Sequence, residues 1–191
     1  MRELLVERDF ERIATDEILD RAGVSRGGMY HHFASKIDLF RAAFEASERD
    51  ALLRLAAVAQ AAAARGAGPF DQLQAACVAY VQEAASGGEL QRIGLRQSRA
   101  VLGWEGWREA AGPLGIAAMR GGIEAAVDAG ELQSDDLTTT THLVLAALIE
   151  AGLLAATDPD AGQALARIEP EVVRLLNGLR VASGATVRKD T

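Results

Sequence analysis

With 191 residues the chain is long enough for one large or two small domains, and its single cysteine, Cys77, excludes an internal disulfide framework and suits a reducing cytoplasm. A net charge of −7 speaks against a protein that holds nucleic acid by bulk charge. Alanine and leucine dominate, no period-two alternation persists, and the longest apolar run, Leu143 to Ala156, is interrupted by Glu150; the fold reads as all-α, with neither a secretory signal nor a membrane span.

Arg2 to Asp9 reads as a short piece of a first helix. The next helix starts at Thr15, whose hydroxyl suits an N-cap, with Asp16 and Glu17 at the positive end of the helix dipole. Ile18, Leu19 and Ala22 supply its apolar face, and Gly23 supplies the left-handed residue that turns the chain. Val24 is the expected apolar plug of the turn, and Ser25 the N-cap of a third helix over about Arg26 to Phe33. That helix is too short to stand alone in water. Met29 and Phe33 are its buried face, so Arg26, Gly27, Gly28, Tyr30, His31 and the edge of His32 are left outward.

Two glycines inside a helix cost roughly 1 kcal/mol each against alanine, which suits a backbone that approaches another surface such as a groove floor. Ser35-Lys36-Ile37-Asp38 opens a long helix with a capping-box variant, and Ile37, Phe40 and Phe44 pin it onto the preceding pair. Lys36 opposes the helix dipole there, which is poor for stability and suited to a phosphate. A short helix, a tight turn and a second short helix with exposed Arg, Tyr and His is how a helix-turn-helix reader of duplex DNA is built. His31 and His32 project about 100° apart without a third ligand nearby, so no metal site is expected.

The long helix continues to about Ala64 and breaks at Arg65-Gly-Ala-Gly-Pro69. A helix from about Phe70 to Ala85 carries Leu73, Cys77, Tyr80 and Val81 on one stripe, and another runs from near Glu89 to Leu102. Gly103 is read as a break before Trp104 and Trp107, and a further helix as spanning Pro113 to Ala129. The four prolines are each placed at a helix start or a connector. Trp104 and Trp107 share a face and are either core or one wall of a ligand cage. With Cys77, Tyr80 and Met119 they would frame a site for a flat apolar effector. The last two helices, about Asp136 to Ala156 and Asp160 to Val181, have broad apolar faces that include Leu145, Leu148, Gly152, Val172 and Leu176. Those faces serve either the monomer core or a second copy. Glu150, set in such a face, is expected to need a partner or a proton.

Thr15, Ala22-Gly23-Val24-Ser25, Tyr30-His31-His32-Phe33 and Ser35-Lys36 occur in the order that marks the N-terminal domain of the TetR/AcrR family of bacterial transcriptional regulators, which the segment from about residue 4 to 44 resembles. Ala100-Val-Leu-Gly-Trp-Glu-Gly-Trp-Arg-Glu109 is similar to an effector-domain pattern of one branch of that family. The resemblance implies a helix-turn-helix domain over residues 1–48, an effector-binding and dimerisation domain over 49–182 and a flexible tail over 183–191. It implies phosphate contacts from Thr15, Tyr30 and Lys36, and base-edge contacts from Arg26, Gly27, Gly28 and His31. Leu145, Leu148, Gly152, Val172 and Leu176 would meet their copies in a homodimer.

Members usually carry ten or more residues ahead of the point matching Met1, so the first helix reads as truncated. Asp9 also stands where the family tends to place a helix-ending glycine. Residues 1–49 hold eight basic groups (Arg2, Arg8, Arg12, Arg21, Arg26, Lys36, Arg41, Arg49) against ten acidic ones, so nonspecific affinity for DNA should be modest. The function expected is a cytoplasmic, ligand-responsive regulator, a repressor released from a palindromic operator by a small apolar or aromatic effector. The competing reading is a dimeric small-molecule-binding or interaction protein with weakened DNA binding. No catalytic Ser-His-Asp set, phosphate loop or metal cluster is read in the sequence, so neither enzymatic activity nor a cofactor is expected.

Overall fold

The computed structural model describes residues 1–181, and the tail expected over 183–191 lies outside them. Eight helices follow in order: α1 (Arg2–Glu7), α2 (Thr15–Ala22), α3 (Arg26–His32), α4 (Lys36–Ala64), α5 (Pro69–Ala85), α6 (Ser98–Asp128), α7 (Leu137–Thr157) and α8 (Ala161–Asn177). A 3₁₀ turn, Phe10–Arg12, joins α1 to α2, and a π-helical segment, Leu90–Gln97, leads into α6. Among the described residues the only β pairing is an isolated bridge between Leu132 and Arg180.

Local chemistry sets the N-terminal boundaries. Gly23 ends α2 with φ of 66°, a conformation that favours glycine. Ser25 accepts a hydrogen bond from the Gly28 N–H, and Ser35 accepts one from the Asp38 N–H while its hydroxyl donates to the Asp38 carboxylate. The Asp38 carboxylate thus meets the Ser35 hydroxyl at this cap, where a capping box would have it accept from the backbone N–H. Thr15 is a different case. Ala14 occupies the cap position and Thr15 is the first helical residue, so its hydroxyl is not the cap. The first helix ends at Glu7 without a glycine, because Arg8 takes an extended conformation.

The small N-terminal core consists of Leu4, Leu5, Ile13, Ile18, Phe40, Ala43 and Phe44, joined by Ile93 from the π-helical segment. Phe40 and Phe44 are fully buried, and truncating either to alanine would cost on the order of 3–5 kcal/mol. Ile37, expected beside them, is exposed, as is Val24, so neither plugs the core. Both lie beyond the reach of the small cluster. The division expected at residue 48 falls inside α4, which runs unbroken for 29 residues, about 44 Å at the helical rise.

The body is built from α4 to α8, with Phe70, Leu73, Cys77, Val81, Met119, Ile123, Leu148 and Leu176 in its core. Three expectations change here. Pro113 does not start a helix: α6 passes through it from Trp104 to Asp128, after a kink at Gly103, where φ is 70° and ψ 175°. Pro170 likewise sits inside α8. Both prolines are exposed, and each removes one backbone donor from a helix that continues through it. Finally, α7 is long and apolar enough to cross a membrane by length and composition, although Glu150 interrupts its apolar run. In this fold it packs against α5, α6 and α8 as a bundle helix does.

Candidate functional site

The helix pair α2–α3 presents the outward face that the sequence suggested. Arg26, Gly27, Gly28, Tyr30, His31 and His32 are exposed and Met29 is buried. The glycines are not required by internal packing. A Cβ on Gly27 would meet nothing within 4 Å, and one on Gly28 would meet only the Ser25 hydroxyl at 3.3 Å. The His31 and His32 rings meet edge to face, 5.0 Å between centroids.

Two cations expected to touch DNA are engaged within the protein. Arg26 pairs with Asp16, both well exposed, so the pair is weakly held and open to exchange for a nucleic-acid acceptor. Beside it, Glu17 pairs with Arg8. Lys36 folds back, donating to the Phe10 carbonyl at 2.7 Å with its ammonium 4.1 Å from the Phe10 ring centroid. Desolvation there pushes its pKa down. The sequence missed this latch because Phe10 and Lys36 lie on different elements.

The second site is a cavity of about 850 Å³ in the body, between α4, α5, α6 and α7. Cys77, Tyr80, Trp104, Trp107 and Met119 all line it, so the structure brings the five expected residues together. Burial raises the Cys77 thiol to about 12, which makes it an inert wall atom. Tyr80 is raised well above its ordinary value, burial first and the Glu48 charge second. Trp104 and Trp107 lie 5.3 Å apart, and Arg99 stacks on Trp107 at 4.6 Å. Trp107 also packs against the N-terminal core, so it is both core and cavity wall.

Sequence reading missed Glu48. Its carboxyl lines the cavity, where burial and then the neighbouring Glu83 push it up to about 7. A signal was available, because Glu48 continues the four-residue spacing of Phe40 and Phe44 along a buried stripe. Glu150, by contrast, is exposed and needs no special partner.

The expected dimer residues separate into two groups. Leu148 and Leu176 are buried in this protomer, and Gly152 lies under Tyr80, whose ring would be 2.7 Å from a Cβ at that position. All three are packed within the chain's own core, and Leu148 and Leu176 also line a groove between α7 and α8. Leu145 and Val172 are partly buried against the same core. The apolar groups left outward are Leu143, 66% exposed, with Leu154 on α7 and Leu175 on α8.

Residues 2–43 match the family model described as bacterial regulatory proteins of the tetR family, and residues 70–179 match the tetracyclin repressor-like C-terminal domain. The chain belongs to the TetR family. It is a TetR-family DNA-binding transcriptional regulator, with a helix-turn-helix followed by a larger helical body. A TetR-family transcriptional regulator from Pectobacterium atrosepticum is 29% identical, with a TM-score of 0.78 over 94% of this chain and 90% of that one. Reduced NemR of E. coli shares the fold at 20% identity and a TM-score of 0.64, over 94% and 92% of the two chains. A curated relative, the HTH-type transcriptional activator FasR of Mycolicibacterium smegmatis, is 44% identical over 43 residues. That match spans 22% of this chain and 20% of FasR.

Proposed function

We propose that this TetR-family regulator is a cytoplasmic homodimer that represses transcription from a palindromic operator and is released when a small effector fills the body cavity. The observation that carries this reading is the double position of Trp107, on the cavity wall and against the core of the DNA reader. An occupant that shifts the indole shifts a residue packed against the N-terminal core. Effector binding would then favour a spacing of the two α3 helices that no longer fits the operator.

In this reading Thr15, Tyr30 and Lys36 hold phosphates, and Arg26, Gly27, Gly28 and His31 face base edges. The reader spans residues 1–48 and the effector and dimer unit 49–182, with α4 as the shared strut. The dimer face is the outer side of α7 and α8 around Leu143, Leu154 and Leu175, with Leu145 and Val172 at its edge. FasR is an activator by name, and its similarity covers only the reader, so the sign of regulation here rests on the release mechanism. A reporter driven by the bound promoter tests it: deleting the gene should raise expression if the protein represses, and lower it if the protein activates.

A second reading, a dimeric small-molecule-binding or interaction protein with weakened DNA binding, is favoured by the internal pairing of Arg26 and Lys36 and by the net charge of −7. Binding to duplexes drawn from around the gene separates the two readings.

A further inference from the structure

Resting on the reading of the body cavity as the effector site, we propose that its ligand is an amphipathic acid, with a carboxylate or phosphate head gripped by Arg99 and Arg108 and an apolar body held inside. The walls set the apolar part. Leu52, Leu55, Leu73, Met119 and Leu145 line the space.

The head group follows from two guanidinium groups that line the same cavity and pair with no acid of the described chain. Arg99 lies 4.6 Å from the Trp107 ring, Trp107 lies 5.3 Å from Trp104, and Arg108 lies 5.9 Å from the Trp104 ring. The stack spans the kink at Gly103, with Arg99 before it and the other three after it. Gly103 has φ of 70° and ψ of 175°, a region essentially confined to glycine. Stacking occupies the flat faces of a guanidinium and leaves its in-plane N–H donors free.

Other arginines of the body spend those donors within the chain. Arg41 donates to the Gly106 carbonyl, and Arg54 pairs with Glu83. Among the described residues, neither Arg99 nor Arg108 has a carboxylate within 4.0 Å or a hydrogen-bond acceptor. An oxyanion is the group that such a fork receives through two parallel bonds.

The two cations sit at different depths. Arg99 is half-buried, with its charge felt at the Tyr80 hydroxyl, whereas Arg108 is exposed beside Trp104, itself 59% exposed. Arg99 therefore holds the head group partly out of water, where a charged hydrogen bond counts for most, and Arg108 adds a cation at the rim. Burial keeps Tyr80 protonated, so its hydroxyl remains a donor next to Arg99.

The acids of the lining do not cancel this charge. Glu150 and His142, both on α7, are exposed. Glu48 sits against the π-helical segment, where a Cβ on Gly94 would lie 2.7 Å from its Oε1. The charge felt at Glu48 is that of Glu83 and not that of Arg99, so the acid and the arginines hold different parts of the cavity.

A matched pair of dyes tests the class on the full chain: 8-anilinonaphthalene-1-sulfonate, and the same molecule without its sulfonate, N-phenyl-1-naphthylamine. Each is titrated by fluorescence, and circular dichroism confirms that every variant is folded. The anionic dye should bind, and Arg99→Met should weaken it roughly ten- to hundredfold while leaving the neutral dye within about twofold. Arg108→Met, a change at an exposed position, should weaken the anionic dye by about three- to tenfold and gives the same test if Arg99→Met fails to fold. Octanoate or octyl phosphate, whichever head fits the fork, should displace the anionic dye at concentrations about tenfold below those of 1-octanol. Equal binding of the anionic dye by the native chain and the folded arginine variants, or displacement by 1-octanol as readily as by both acids, overturns the proposal. If the neutral dye still binds and quenches Trp emission in that case, the cavity remains the effector site and only the acid class is wrong. If neither dye binds and Trp emission stays unchanged, the effector-cavity reading falls along with it.

Discussion

Gln97 holds the backbone of Phe10 from 87 residues away: its Oε1 accepts the Phe10 N–H at 2.9 Å. Its Nε2 donates to the Leu5 carbonyl at 2.9 Å and to the Arg92 carbonyl at 2.9 Å. On the opposite side of the same residue, the Phe10 carbonyl accepts from Lys36. One side chain at the entrance to α6 is thus linked, through a single residue of the 3₁₀ turn, to the cation at the N-terminus of α4. In the proposed reading, a displacement of α6 by a cavity ligand would reach the DNA reader by this route as well as through Trp107. The π-helical stretch before Gln97 suits such a role, since these distortions recur at functional positions.

Replacing Gln97 tests the link. Gln97→Leu strands the Phe10 N–H and the Leu5 carbonyl, and should destabilise the protein by about 1–3 kcal/mol for each group left buried and unpaired. Operator binding in the surviving folded protein should respond less to a cavity ligand. Chemical denaturation gives the first quantity and DNA release by the ligand gives the second. Unchanged stability together with an unchanged response would remove Gln97 from the coupling.

Glu48 makes stability depend on pH. Its folded value near 7 lies above the reference value of 4.5, so the native state holds the proton more tightly than the unfolded chain. Its favourable contribution is complete below about pH 4.5 and is lost as pH rises through about 7. Glu48→Gln should therefore be more stable than the native chain at pH 8 by on the order of 2–3 kcal/mol, with the difference fading near pH 4. Urea denaturation at the two pH values checks it.

The proposed dimer face can be separated from the core by adjacent leucines of α8. Leu175 is 48% exposed and Leu176 is 1% exposed. Leu175→Arg should give a monomer with native helicity, because it places a charge in the intermolecular contact alone. Leu176→Arg should fail to fold, because the charge enters the body core without a partner. Light scattering with circular dichroism distinguishes the outcomes, and a Leu175→Arg protein that stays dimeric would move the interface elsewhere.

Features set by local chemistry were legible in the sequence. The Gly23 turn, the Ser25 and Ser35 caps, the exposed face of α3 and the Cys77–Tyr80 stripe each depend on residues within a few positions. Contacts between distant elements were not. Gln97 with Phe10, Lys36 with the Phe10 carbonyl and Glu48 beside Gly94 join elements whose meeting no periodicity encodes. Leu148 and Leu176 show the same limit, since an apolar face reads alike whether its own chain or a second copy covers it.

Sequence-specific binding of duplex DNA through α3 is the central claim, and two cations test it most directly. The measurement is fluorescence anisotropy of labelled duplexes, one carrying the bound site and one random, titrated with the native chain, Arg26→Ala and Lys36→Ala across a salt series. The native chain should prefer its site by about 10³-fold or more. Arg26→Ala should weaken that site by about 1–3 kcal/mol with little effect on the random duplex, since a guanidinium reading guanine discriminates between sequences. Lys36→Ala should weaken both by a similar factor and make the salt dependence shallower by about one unit for the phosphate lost. A native chain that binds all duplexes around its gene no better than random DNA would contradict the account. If Arg26→Ala instead weakens both duplexes equally, Arg26 is a phosphate clamp and does not read the sequence.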